Sequence, residues 1–304
     1  MGEFRLDTLI EEARATGRRG RAAQVAAHDP HALEAMIAAR REDLIDAVLI
    51  GDGARINTCL REAGESPEDY TIIDSPDNLA SVSKAIELVR AGSIDFIVKG
   101  ILETAELMKS MLNKETGIVK PGAIVCPVAL VQSPRYHKVF ALADVGINLR
   151  PDKEKRIKIM NNAVWLLQRI GVANPKVALL SYVEKVNPKM EDTVEADEIK
   201  QMNLAGEITG CIVEGPISLD LAISAESAKI KRYESPVAGD ADALIVPDIV
   251  SGNLLIKGMG FFGDIQTADL VLGLSVPLIF GSRGGPAEGK LRSIALATLV
   301  SSQD

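Results

Sequence analysis

Along the chain, short runs of consecutive apolar residues alternate with longer stretches in which apolar positions recur every three or four residues. The runs at 22–27, 46–50, 71–73, 94–98, 123–132, 139–144, 177–181, 210–214, 242–247 and 276–280 predict strands. Helical spacing predicts helices at 4–15, 80–91, 154–170 and 194–203, with a short helix after Gly53. Asp29-Pro30 opens another helix reaching about residue 43, because aspartate caps a helix and proline fits its first turn. Pro286 marks a last one, along which Leu291, Ile294, Ala295 and Leu299 repeat at helical spacing. This alternation predicts an α/β fold with mostly parallel sheets flanked by helices, and 304 residues accommodate two such domains.

Composition narrows the partners. A formal charge of −8 argues against nonspecific nucleic-acid binding, so an anionic ligand has to be held by a local group of cations and backbone amides. Cys59, Cys126 and Cys211 are odd in number and widely spaced, which indicates neither a disulfide framework nor a thiolate metal site. The first residues are charged and no 18-residue apolar stretch occurs, so a cytoplasmic protein without membrane contact is expected. His28 and His31 flank the Asp29 cap without further ligands grouped nearby, and no metal is expected.

Candidate chemistry gathers where strands end. After the run at 276–280, residues 281–285 form a glycine-rich turn into a helix, a geometry that aims backbone N–H groups at an anion. Ser282 adds a hydroxyl there and Arg283 a planar fork suited to phosphate. A second apolar run stops at Pro247-Asp248 and is expected to turn through Ser251-Gly252-Asn253 toward Lys257. Lys99 ends a third, at the carboxyl end of a strand where open α/β sheets bind ligands. The G-D-G-A-R-I turn at Gly51 lacks the third glycine of a dinucleotide fingerprint and no acidic residue closes a following strand at the required spacing, while G-M-G-F-F-G at Gly258 matches literally but precedes no helix start, so neither is read as a nucleotide site.

The segments V-A-G-D-A-D-A-L-I-V-P-D-I-V-S-G-N, P-L-I-F-G-S-R and K-L-R-S-I-A-L-A resemble the C-terminal signature of the phosphate acetyl/butyryltransferases. The K-x-x-S-I-A-L-A ending is similar to the butyryl branch. The likeness continues through K-G-I-L-E-T-A-E-L-M-K, A-D-V-G-I-N, V-N-P-K-M and I-V-E-G-P-I-S-L-D-L-A, covering roughly 22–297. It implies two domains arranged as in isocitrate and isopropylmalate dehydrogenases: 1–138 plus 281–304, and 139–280, with the active site in the cleft between them. It also implies reversible transfer of a short-chain, butyryl-like acyl group between coenzyme A and inorganic phosphate. Acyl-CoA, CoA, phosphate and acyl phosphate are then substrates, with no tightly bound cofactor and a homo-oligomer built from dimers.

On these motifs the resemblance assigns catalysis to Ser282 and Arg283. It assigns substrate and CoA binding to Lys99, Gly100, Lys109, Asp144, Asn148, Asn187, Lys189, Gly252, Asn253, Lys257 and Gly284. Lys109 stands where the acetyl branch has an arginine implicated in the CoA site. Gly289 stands where that branch has an aspartate proposed to deprotonate CoA, which leaves the base open; Glu288 is adjacent but turned by about 100 degrees. The alternatives are a phosphate acetyltransferase and a catalytically silent protein that binds CoA or acyl phosphate.

Overall fold

The computed structural model describes residues 4–281 and 287–301. The chain opens with α1 (Leu9–Ala15), β1 (Gly20–Val25), α2 (Pro30–Arg41), β2 (Ile45–Gly51), α3 (Gly53–Glu62), β3 (Thr71–Asp74), α4 (Asn78–Arg90), β4 (Phe96–Lys99) and α5 (Thr104–Met111). It continues through β5 (Cys126–Gln132), β6 (Phe140–Ala143), α6 (Lys153–Arg169), β7 (Lys176–Leu180), α7 (Glu191–Leu204), β8 (Ile212–Ile217), α8 (Leu219–Ile223), α9 (Ala225–Lys231), β9 (Ala243–Ile245) and α10 (Ile249–Phe262). The last elements are β10 (Gln266–Leu272), β11 (Leu278–Ile279) and α11 (Ala287–Ser301). Aspartates set several helix starts: Asp29, Asp52, Asp77, Asp152 and Asp248 each accept from the backbone N–H three residues on.

Two compact units result, one from 7–123 and 268–304, the other from 1–6 and 124–267. The sequence-based boundaries at 138/139 and 280/281 fall later at both points, and pairing accounts for the difference. β5 pairs antiparallel with β6, which pairs parallel with β9, so the hairpin stays with the unit that contains β9. β10 pairs antiparallel with β11, which lies beside β4, so β10 goes with the unit that contains β4.

In the unit of 7–123 and 268–304 the strand order is β3-β2-β1-β4-β11-β10, all parallel except β10. In the unit of 124–267 it is β5-β6-β9-β7-β8, all parallel except β5. Central strands such as β4 and β6 are buried along their whole length, which is why they read as continuous apolar runs rather than alternating ones. The parallel strands of each unit share a carboxyl edge. Lys99 ends β4 at the edge of one unit, and β6, β7, β8 and β9 end at the edge of the other.

Two local expectations are corrected. Ser251-Gly252-Asn253 is the first turn of α10 rather than an open turn, because Asp248 captures both the N–H (2.8 Å) and the hydroxyl (3.0 Å) of Ser251. The run expected at 210–214 is observed as β8, which starts at Ile212 and continues past Glu214 through Gly215-Pro216, whose peptide bond is cis.

Candidate functional site

Asp144 follows β6 and is 2% exposed. One oxygen accepts from the N–H groups of Gly146 (2.7 Å) and Ile147 (3.0 Å); the other accepts from the Asn148 N–H (3.0 Å) and side-chain amide (2.5 Å). Asn148 also donates to the Val125 carbonyl at 3.0 Å, and Asn253 of α10 donates to the Val145 carbonyl at 3.2 Å. Gly252 completes the knot, since a side chain there would run into the Asp144 carbonyl oxygen. The structure thus brings Asp144, Asn148, Gly252 and Asn253 together, but it uses the Asp144 carboxylate to shape the 145–148 loop. Lys257 lies one turn after Asn253 on α10 and is exposed.

Beside this knot, within the same unit, lies a cleft of about 830 Å³. Its floor is apolar where β7, β8 and β9 end: Leu180, Leu219 and Val246, with Leu255 of α10 and Met190. The starts of α6, α7 and α10 border it, so the positive ends of three helices reach its walls. Most of the carboxylates lining it are already engaged. Asp152 and Asp248 cap helices, Asp192 accepts from the Ser181 hydroxyl (2.6 Å), and Glu195 accepts from the Lys153 N–H (3.0 Å). Arg150 and Lys189 line the same cleft as exposed cations. Asn187 places Lys189 there: its side chain accepts from the Lys189 N–H (3.0 Å), and its own N–H donates to Thr193 (2.9 Å). Apolar floor, helix ends and two cations suit a ligand with an apolar stem and an anionic end.

Arg156 lies just behind this wall, only 1% exposed, donating to the Asp192 carbonyl at 3.1 Å and approaching Glu195 at 3.5 Å. Burial pulls its guanidinium below the usual arginine range, against the opposing pull of Glu195. Sequence reasoning passes over Arg150, Ser181 and Arg156. Arg150 has one local signal, a cation just before the Asp152 cap; the other two depend on the pairing of distant elements.

In the other unit, Lys99 and Gly100 sit at the carboxyl end of β4. Lys99 is buried and donates to the Gly100 carbonyl at 3.4 Å, and Gly100 donates its N–H to Val25 at 2.8 Å. Lys109 is exposed in the last turn of α5. A smaller depression of about 420 Å³, lined by His28, Arg55, Ser75 and Asn78 among others, lies where β1, β2 and β3 end. Burial pulls the His28 imidazole below its ordinary value, with Arg55 adding to the effect. Ser282, Arg283 and Gly284 lie outside the described residues. Cys126 is fully buried, its sulfur accepts from Asn162 at 3.1 Å, and burial pushes its thiol up to about 12. No group of three or more His, Cys, Asp or Glu placed to hold a metal ion occurs among the described residues. None of the helices there is long and apolar enough to cross a membrane.

The sequence profile described as phosphate acetyl/butaryl transferase matches residues 75–298. The chain belongs to this family. A phosphate butyryltransferase from Clostridium acetobutylicum is 37% identical over 274 residues, 90% of this chain and 91% of that protein. A phosphate acetyltransferase from Thermotoga maritima is 37% identical over 294 residues, 97% and 99% of the respective lengths. The crystal structure of a branched-chain phosphotransacylase from Enterococcus faecalis V583 superposes with a TM-score of 0.82 at 31% identity, covering 92% of this chain and 99% of that one. The family match spans β4, the Asp144 knot, the cleft and most of α11.

Proposed function

We propose that the protein is a phosphate acyltransferase that moves a short-chain, butyryl-like acyl group between coenzyme A and inorganic phosphate by direct attack in one ternary complex. The observation that carries this is family membership across residues 75–298, with relatives of both branches aligned over nearly their whole length. In this reading Arg283 contacts the phosphoryl oxygens, and Ser282 the phosphate or carbonyl oxygen. Lys99, Asn253 and Lys257 are further anion contacts, while Lys109, Lys189 and Gly284 serve the CoA side. Asp144, Asn148, Asn187 and Gly252 hold the loops on which the contacts stand. The isocitrate-dehydrogenase-like arrangement with its reaction cleft, and a homo-oligomer built from dimers, belong to the same proposal and rest on the motifs.

Acyl transfer of this kind needs no covalent enzyme intermediate. Holding thiol and acyl phosphate in attack geometry supplies roughly 7–11 kcal/mol, and one aimed oxyanion donor about 3–4 kcal/mol. Without an aspartate at position 289, a thiol that is a few per cent ionised at neutral pH costs on the order of 2 kcal/mol, less than the proximity gain. Phosphate acetyl transfer is the second reading, favoured by the 37% identity to the Thermotoga maritima enzyme.

Rates with acetyl-, propionyl-, butyryl- and longer acyl-CoA in the presence of phosphate test the proposal. A maximum near four carbons is expected, with overlap because one methylene is worth about 1–3 kcal/mol. A maximum at two carbons selects the acetyl reading. Absence of arsenate-driven breakdown of any acyl-CoA overturns both and leaves a silent binding protein. Arg283→Lys should lower the rate substantially and Arg283→Ala further, since lysine keeps the charge without the planar fork. Near-normal turnover in folded Arg283→Ala protein would place the anion site elsewhere.

A further inference from the structure

The end of β11 carries a feature that the proposed reaction has not used. Gly281 has φ +57°, and the position a side chain would occupy there is filled by Lys290 of α11. From that position Lys290 Cε lies 2.8 Å away, and Cδ and Cγ each 3.1 Å. The left-handed backbone favours glycine there, and the lysine stem lies across the space a side chain would take. The stem thus passes beside Gly281 at the end of β11. Lys290 is half-buried, and no hydrogen bond or ion pair involves its ammonium among the described residues.

Its neighbours leave that charge uncompensated. Glu288, in the same helical turn, is 83% exposed and leans toward Arg292 at 3.7 Å. Asp269 of β10 donates its N–H to the Ser293 hydroxyl (2.9 Å), which in turn donates to the Gly289 carbonyl (2.9 Å). Burial pushes the Asp269 carboxyl up, which favours its neutral form. Register places a second cation at the same edge: Val98 pairs with Ile279, so Lys99 stands level with Phe280, immediately before Gly281. Lys99 and Lys290 thus both stand near the carboxyl end of neighbouring parallel strands, where such sheets receive ligands. A half-buried ammonium without an acidic partner keeps its hydrogen-bond donors available to an incoming anion.

We propose that Lys290 is a further anion-binding residue of the transferase, holding the phosphoryl group of inorganic phosphate or acyl phosphate at the end of β11. The inference deepens the function proposed above and rests on it for the identity of the anion. It also accounts for the lysine of K-x-x-S-I-A-L-A, because with Gly289 unable to act as a base, the first turn of α11 contributes a positive charge instead.

The test compares wild type with Lys290→Met, which keeps an unbranched stem, and with Lys290→Arg. Each protein is titrated calorimetrically with inorganic phosphate alone, assayed for KM toward phosphate and toward butyryl-CoA, and followed by thermal denaturation. Expected for Lys290→Met is a rise of at least tenfold in phosphate Kd and KM, a butyryl-CoA KM within about twofold, and an unchanged thermal midpoint. Lys290→Arg should recover most of the phosphate affinity. Wild-type phosphate binding in Lys290→Met overturns the proposal, and so does an increase confined to the butyryl-CoA KM. Should the methionine variant misfold, Lys290→Gln is read by the same titration against the same thresholds. If wild type turns over no acyl-CoA, the transferase reading fails; the phosphate titration separately decides whether Lys290 binds the anion.

Discussion

Replacing Asp144 by asparagine tests whether the knot at the end of β6 is held by one carboxylate. Four donors converge on its two oxygens, three backbone N–H groups and the Asn148 amide, at 2.5–3.0 Å. Asparagine keeps one acceptor oxygen and turns an NH2 group toward the other pair of donors. Each buried donor left without an acceptor costs roughly 1–3 kcal/mol, so two of them cost about 2–6 kcal/mol. Water reaches the residue poorly at 2% exposure and gives little relief. For a protein of this size that corresponds to a thermal midpoint lower by about 3–9 °C. Because the loop positions Asn148 and supports Asn253 through the Val145 carbonyl, kcat should fall in the fraction that remains folded. Thermal denaturation followed by circular dichroism, together with the acyl-CoA assay below the new midpoint, reads both effects. An Asp144→Asn protein that melts within about 1 °C of wild type would refute the reasoning, since the four hydrogen bonds would then carry no net stability.

Gly252→Ala places a methyl group against the Asp144 carbonyl and 3.0 Å from Val246 Cγ2. Because one obstacle is backbone, chemical denaturation should show a loss toward the upper end of the roughly 1–3 kcal/mol typical of overpacking, of which helix preference returns only about 1 kcal/mol. Replacing Cys59, Cys126 and Cys211 together should leave turnover measurable, because burial disfavours each thiolate and a direct transfer needs none. Trapping an acyl group on any of the three would contradict this. Asp269→Asn should raise the thermal midpoint near neutral pH. The folded protein raises this carboxyl, so wild type gains stability as pH falls through the folded value and loses it as pH rises. The advantage of the variant should accordingly shrink on acidification, and one that grows toward low pH would reverse the assigned sign.

Much of the architecture is legible because the central strands are buried on both faces and the helix starts carry aspartates. β4 and β6 read as uninterrupted apolar runs, and Asp29-Pro30 announces α2 without reference to any tertiary contact. β10 escapes pattern reading because Gln266, Thr267 and Asp269 break its run, and its place beside β11 comes from a pairing that local pattern does not contain. Ser251-Gly252-Asn253 has the composition of a turn, yet the Asp248 cap and the close approach of Asp144 make it helical. Within the candidate site, charged residues at strand ends are visible as types at positions. Which of them also hold a loop is not: the bonds by which Asp144 and Asn187 tie their loops emerge only once the fold brings their partners to them.

The unit that begins at residue 7 is finished by the last thirty-seven residues of the chain, since β11 lies alongside β4 and α11 packs on α1 and α2. During synthesis β4 therefore emerges long before its neighbour, with Phe96 and Ile97 awaiting cover and one row of backbone N–H and C=O groups unpaired. Residues 124–267, by contrast, hold all the strands of their own unit and can close as soon as they leave the ribosome. The middle segment can therefore complete its sheet before the unit that brackets it can complete its own. A stalled or clipped chain lacking β11 would present an adhesive strand edge to its neighbours even with the rest of the molecule folded.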